Sequence, residues 1–143
     1  MTSTSADPRP DLVDTSVAIA LLVQDHDHHE STFAAVAGRQ LGLAGHAAFE
    51  TFSVLTRLPS PARLVPQAAQ RLLAANFPHS RFLGVERTAS LLADLSDYGI
   101  AGGAVYDALV GAAALEHGRT LVSRDRRAVD SYRKLGVTVE MLE

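Results

Sequence analysis

Residues 11–23 read Asp11-Leu12-Val13-Asp14-Thr15-Ser16-Val17-Ala18-Ile19-Ala20-Leu21-Leu22-Val23, and this order decides the fold. Leu12 and Val13 form a short apolar strand that ends on an acid. Asp14, Thr15 and Ser16 are the residue types that cap helices, because their side-chain oxygens accept from the free N–H groups of a first turn. The apolar run that follows predicts a helix starting near residue 16. Strand, acid and helix in so short a stretch open an α/β unit.

The alternation continues outward. Apolar runs bounded by turn residues predict further strands at 40–44, 82–85, 120–123 and 137–142. Helical spacing predicts helices over 28–38, 46–58, 66–75, 87–98, 104–117 and 130–134. In the 46–58 helix, Ala48, Phe52 and Leu55 share one face, and Pro59 and Pro61 close it. Leu91, Leu92 and Leu95 are helically spaced in 87–98, and Gly118 is placed to end the Ala-rich helix before it. Strands alternating with helices imply a mostly parallel central sheet covered by helices on both faces, a three-layer α/β/α domain.

The 143 residues suit one domain with a real core. Residues 1–10 are polar, without the apolar stretch of a signal peptide, and read as a disordered tail; 11–143 read as the single domain. No cysteine is present, which excludes disulfides, thiolate zinc sites and a cysteine nucleophile. The net charge of −3 excludes coating of nucleic acid by bulk charge. Cations do gather late in the chain, at Arg119, Arg124, Arg126, Arg127, Arg133 and Lys134, the last being the only lysine. No apolar run approaches the ~18 residues of a membrane span, so a cytoplasmic protein without membrane contact is expected.

Four acids carry the chemistry. Asp14, Glu50, Asp107 and Asp125 are each the lone acid in, or at the edge of, a mostly apolar stretch. A carboxylate held there is costly without a partner. Asp14 and Asp125 follow strands, and ligands of open α/β sheets bind outside the carboxyl ends of strands. Asp107 shares a helix face with Gly103, Val110, Gly111 and Ala114, small enough to bring it inward. Glu50 lies off the main apolar stripe of its helix. Each has an ordinary reading: Asp14 as a cap, Asp125 as the start of a helix, Glu50 as a helix acid. Asp107 in an apolar helix is the hardest to dismiss. Together, oxygen-only donors suit Mg²⁺ or Mn²⁺ better than zinc. Such a cation can acidify a water for attack on phosphorus.

The pieces Val-Asp-Thr-Ser-Val, Glu50 in its helix, Tyr-Asp-Ala-Leu-Val and Leu-Val-Ser-Arg-Asp, in this order from Leu12 to about Leu142, resemble the PIN-domain family, and most closely the VapC toxins of bacterial type II toxin–antitoxin pairs. The resemblance implies a Mg²⁺- or Mn²⁺-dependent endoribonuclease with Asp14, Glu50, Asp107 and Asp125 as acidic ligands. Ser16 and Ser123 then match hydroxyls that orient carboxylates or water. Ser at 123 in place of the more usual Thr is a minor departure. The resemblance also implies a homodimer, an RNA substrate such as tRNA or another structured RNA, and a separately encoded VapB-type antitoxin. That antitoxin lays a segment over the groove and itself carries the DNA-binding domain, so this chain alone is not expected to bind DNA.

Other features invite competing readings. Asp25-His26-Asp27-His28-His29-Glu30 looks like a metal motif but reads better as a solvated loop and first helical turn. Arg124, Arg126 and Arg127 around Asp125 are candidate RNA phosphate contacts. Phe49 and Phe52 read as core or dimer packing. A housekeeping PIN nuclease of RNA processing is the alternative enzyme. A phosphorylatable signalling module also places acids at strand ends, yet it usually needs paired acids after the first strand and a lysine near the last. Asp14 has no adjacent acid, and Lys134 is the only lysine.

Overall fold

β1 (Asp11–Val13) occupies an inner position of the sheet because its apolar side chains alternate to both faces. Leu12 joins a core cluster on one face and Val13 joins a second cluster on the other. Leu121 and Val122 of β3 (Leu121–Ser123) divide in the same way. β2 (Leu41–Leu43) and β4 (Val139–Met141) flank them, giving the order β2-β1-β3-β4, with all three pairings parallel. The computed structural model describes residues 9–143, so the expected tail over 1–10 lies, up to residue 8, outside the described residues.

The helices fill two layers. α1 (Thr15–Leu22), α2 (His29–Val36) and α4 (Pro66–Asn76) border the cluster of Val13, Val17, Val36, Leu43 and Phe77. α5 (Val85–Asp94), α6 (Ala104–Glu116) and α7 (Val129–Lys134) supply Leu91, Ala108, Val110 and Tyr132 to the other. α3 (Ala47–Thr56) leads out of β2 through Gly45, whose φ of +50° suits glycine. Arg39, just before β2, pairs with Glu140 at 2.7 Å and with Asp11 at 3.3 Å, tying strand starts together at the amino-terminal edge. Among the described residues no helix is long and apolar enough to cross a membrane.

Two sequence expectations are corrected. Residues 82–85 are not a strand: Phe82 and Val85 are exposed, and Val85 begins α5. The chain that runs along β2 is instead 79–81, with His79 N–H donating to the Leu41 carbonyl and Arg81 N–H to that of Leu43. Polar side chains hide this edge from an apolar pattern, and Gly42 makes it possible. A Cβ at Gly42 would fall inside the His79 carbonyl group. In α3 the buried stripe is Ala47, Thr51 and Leu55, not Ala48, Phe52 and Leu55, so the helix is rotated by about one residue and Phe52 is only half-buried.

Candidate active site

The strand-to-helix junctions at the carboxyl edge of the sheet supply the site. β1 is followed directly by Asp14, whose carboxylate caps α1 by accepting from Val17 N–H at 3.3 Å. Asp14 is 3% exposed. Its Oδ1 also accepts from Ser16 Oγ at 2.5 Å, and its Oδ2 accepts from Ser123 Oγ at 2.5 Å and Tyr132 Oη at 2.8 Å. Burial raises the pKa of this carboxyl, and the hydroxyl bonds partly oppose the rise. The two serines also fasten the loops. Ser16 Oγ accepts from Arg124 N–H at 2.9 Å, and Ser123 Oγ accepts from Asp125 N–H at 3.0 Å. One hydrogen-bonded unit therefore joins the β1–α1 junction to the β3–α7 loop.

The other acids face Asp14 across a cavity of about 280 Å³, lined by Asp14, Thr15, Glu50, Asp107, Asp125 and Tyr132 among others. Glu50 comes from the first turns of α3 and accepts from Thr15 Oγ1 at 3.2 Å. Asp107 comes from the first turn of α6. Its pKa is raised to about 6, first by burial and then by the negative charges of Asp125, Glu50 and Asp14; Arg127 opposes weakly. All four acids singled out in the sequence thus line one cleft.

Asp125 Oδ1 accepts from Arg127 N–H at 3.0 Å and lies 3.5 Å from Arg127 Nε. Arg126 turns away to Glu143 at 3.1 Å. Of the three arginines expected beside Asp125, Arg124 and Arg127 line a neighbouring cavity that shares Asp125 with the cleft, while Arg126 pairs with Glu143.

Tyr132 was not singled out in the sequence. It is 1% exposed, and its ring packs where a Cβ on Gly111 would stand 3.0 Å from its Cδ1. Burial and the neighbouring carboxylates push its hydroxyl well above the usual tyrosine range, so it serves as a fixed donor to Asp14. Its setting, Asp-Ser-Tyr-Arg-Lys, looks like a surface turn, and only its pairing with Gly111 could have marked it.

The donor chemistry fits a hard divalent cation. Four carboxylates share a partly enclosed space in which burial, then mutual repulsion, raises Asp107, and among the described residues no lysine or arginine lines it. Among the described residues, no three acids or histidines already stand as a closed metal cluster.

The PIN domain model matches residues 12–134. Ribonuclease VapC27 of Mycobacterium tuberculosis is 51% identical over 130 residues, covering 91% of this chain and 95% of that protein. Ribonuclease VapC40 of the same species is 42% identical over 131 residues, with 90% and 96% covered. A chain in the crystal structure of VapBC2 from Rickettsia felis, bound to a promoter DNA fragment, superposes with a TM-score of 0.66 at 12% identity, over 94% of this chain and 100% of that one. PAE2754 from Pyrobaculum aerophilum gives a TM-score of 0.52 at 21% identity, over 91% and 90%. At these identities the two structures speak to the fold, and both agree with the three-layer arrangement. The matched PIN segment, the identity to two VapC proteins over nearly their whole length, and the shared fold together make this chain a VapC-type member of the PIN-domain family.

Proposed function

We propose that this chain is a Mg²⁺- or Mn²⁺-dependent endoribonuclease. In this reading it is the toxin of a VapBC-type pair, cuts tRNA or another structured RNA, and is neutralised by a VapB-type antitoxin. The observation that carries the reading is the convergence of Asp14, Glu50, Asp107 and Asp125 on one cleft at the carboxyl edge of a parallel sheet. The name ribonuclease borne by relatives at 51% and 42% identity supports RNA as substrate. The fold neighbour belongs to a VapBC2 assembly, which makes a VapB-type protein the partner to test.

In this mechanism Asp14, Glu50, Asp107 and Asp125 would hold the cation. A bound divalent cation supplies Lewis acidity, acidifying water and offsetting charge on the leaving oxygen. The chain's own groups prepare for it. Ser16, Ser123 and Tyr132 fix Asp14 in one orientation, so its carboxylate needs little rearrangement. Thr15 does the same for Glu50 with a longer bond. Asp107, raised towards neutrality by burial and then by its neighbours' charges, would give up its proton on binding a cation. A homodimer belongs to the same reading.

Induced expression of wild type beside Asp14→Ala and Asp107→Asn, with end-mapping of cellular RNA, tests this. The wild type should arrest growth and create discrete RNA ends. Either variant, folded by circular dichroism, should lose both by roughly 100-fold or more. Arrest that survives both substitutions without new ends would sink the catalytic reading. Cleavage without arrest, and without any antitoxin partner, would favour a housekeeping nuclease.

A further inference from the structure

A second cavity, of about 350 Å³, opens beside the acid cleft and shares Thr15, Ser16 and Asp125 with it. Its chemistry is different. His26 and His28 of the α1–α2 loop and Arg124 and Arg127 of the β3–α7 loop line it, and Asp125 on the shared wall is its one acid. Asp25 and Asp27 of the same loop line neither cavity.

Three details give this cavity a direction. Arg124 is half-buried and held by its backbone N–H on Ser16 Oγ, while its guanidinium has no hydrogen-bond or ion-pair partner among the described residues. His28 N–H donates to His26 Nδ1 at 3.0 Å, so Nδ1 is the ring's acceptor and Nε2–H is the donor the ring presents. The two imidazoles stand 5.8 Å apart between centroids, forming one wall. A half-buried guanidinium without a partner favours an anion from outside, and planar N–H donors suit phosphate oxygens. The anion must also continue into a cleft of carboxylates, which a free anion would avoid. A polyanion whose next phosphate is met by a cation in that cleft satisfies both.

We propose that this cavity is a binding subsite for a phosphodiester flanking the scissile one, with Arg124 as the principal contact and Arg127 and His26 Nε2–H as further donors. The inference rests on the ribonuclease reading above and extends it by giving the RNA strand a path. The chain leaves the acid cleft over Thr15 and Ser16 towards the α1–α2 loop. The Asp-His-Asp-His segment, read from sequence as a solvated loop, then becomes a wall of the substrate groove.

The test measures single-stranded RNA binding in an Asp107→Asn background across a salt series, with Arg124→Gln, Arg124→Lys and His26→Ala added in turn. Loss of one phosphate contact should flatten the slope of log affinity against log salt by about 0.7. Arg124→Gln should show this, Arg124→Lys should recover it, and His26→Ala should weaken binding with a smaller change in slope. In the otherwise wild-type enzyme, Arg124→Gln should raise KM by about tenfold with a much smaller fall in kcat, the mark of lost ground-state binding. The penalty should shrink on an RNA truncated to lack the flanking phosphate. An unchanged salt slope, or an equal penalty on truncated RNA, would overturn the subsite. So would loss of antitoxin binding with RNA binding intact. Wild-type protein that cuts no RNA, yet shows the Arg124-dependent slope, would refute the nuclease reading and leave the subsite standing.

Discussion

Asp107 carries the residue-scale consequence of burying a carboxyl beside three others. Its pKa of about 6 lies above the ordinary 3.8. Between those values the folded chain binds more protons than the unfolded chain, so stability falls as pH rises through the window. Below it the group is neutral in both states. Asp107→Asn should therefore stabilise the metal-free protein above pH 6 by roughly 1–2 kcal/mol, allowing for partial exposure. Urea unfolding with EDTA between pH 4 and 8 would check this, and a variant with the wild-type pH slope would refute it. Asp14, also raised, leaves a residual slope. The acids were legible in the sequence because each lies in, or at the edge of, a mostly apolar stretch. Tyr132 was not, because a hydroxyl that reaches Asp14 across the fold leaves no mark in its own neighbourhood.

At the scale of elements, the alternation of apolar strands and helices was readable because burial on both sheet faces demands it, as Leu12/Val13 and Leu121/Val122 show. The edge at 79–81 was hidden because backbone bonds, not side chains, hold it against β2. The rotation of α3 was hidden because Ala47 and Thr51 are small and carry little hydrophobic signal beside Phe52. Gly42 is where this backbone packing becomes testable. Gly42→Ala puts a Cβ into the His79 carbonyl, and no flexible side-chain end is there to yield. We expect a loss of roughly 3 kcal/mol or more, at the upper end of overpacking costs. It should be read as a lowered urea midpoint at unchanged secondary structure; a midpoint within error of wild type would show that the 79–81 segment shifts freely.

Viewed as a whole, the molecule keeps its charged clamp at one edge of the sheet and its chemistry at the other. Arg39 with Asp11 and Glu140 closes the amino-terminal edge, and the acids open the carboxyl edge. Beside the acids, Phe49 at 65%, Phe82 at 52% and Tyr106 at 52% exposure form an aromatic strip, with His46 stacked on Tyr106 at 5.1 Å. So much exposed ring surface in one place calls for cover, and the homodimer proposed above predicts that a second copy of the chain provides it. Phe49→Asp with Phe82→Ser should shift the mass measured by light scattering from a dimer to the 15.2 kDa chain. A monomeric wild type would refute the assignment. From sequence, Phe49 and Phe52 read as core or dimer packing; Phe49 is exposed and so not core, and its meeting with Phe82 exists only in three dimensions.

The helix that carries Tyr132 also carries Lys134, exposed and alone of its kind. Apart from the amino terminus, amine-directed chemistry has one address on this protein, and cysteine chemistry has none. A fluorophore coupled there sits two residues from the side chain that grips Asp14. The chain thus comes with its own reporter position for watching the cleft fill, without any residue being introduced to make one.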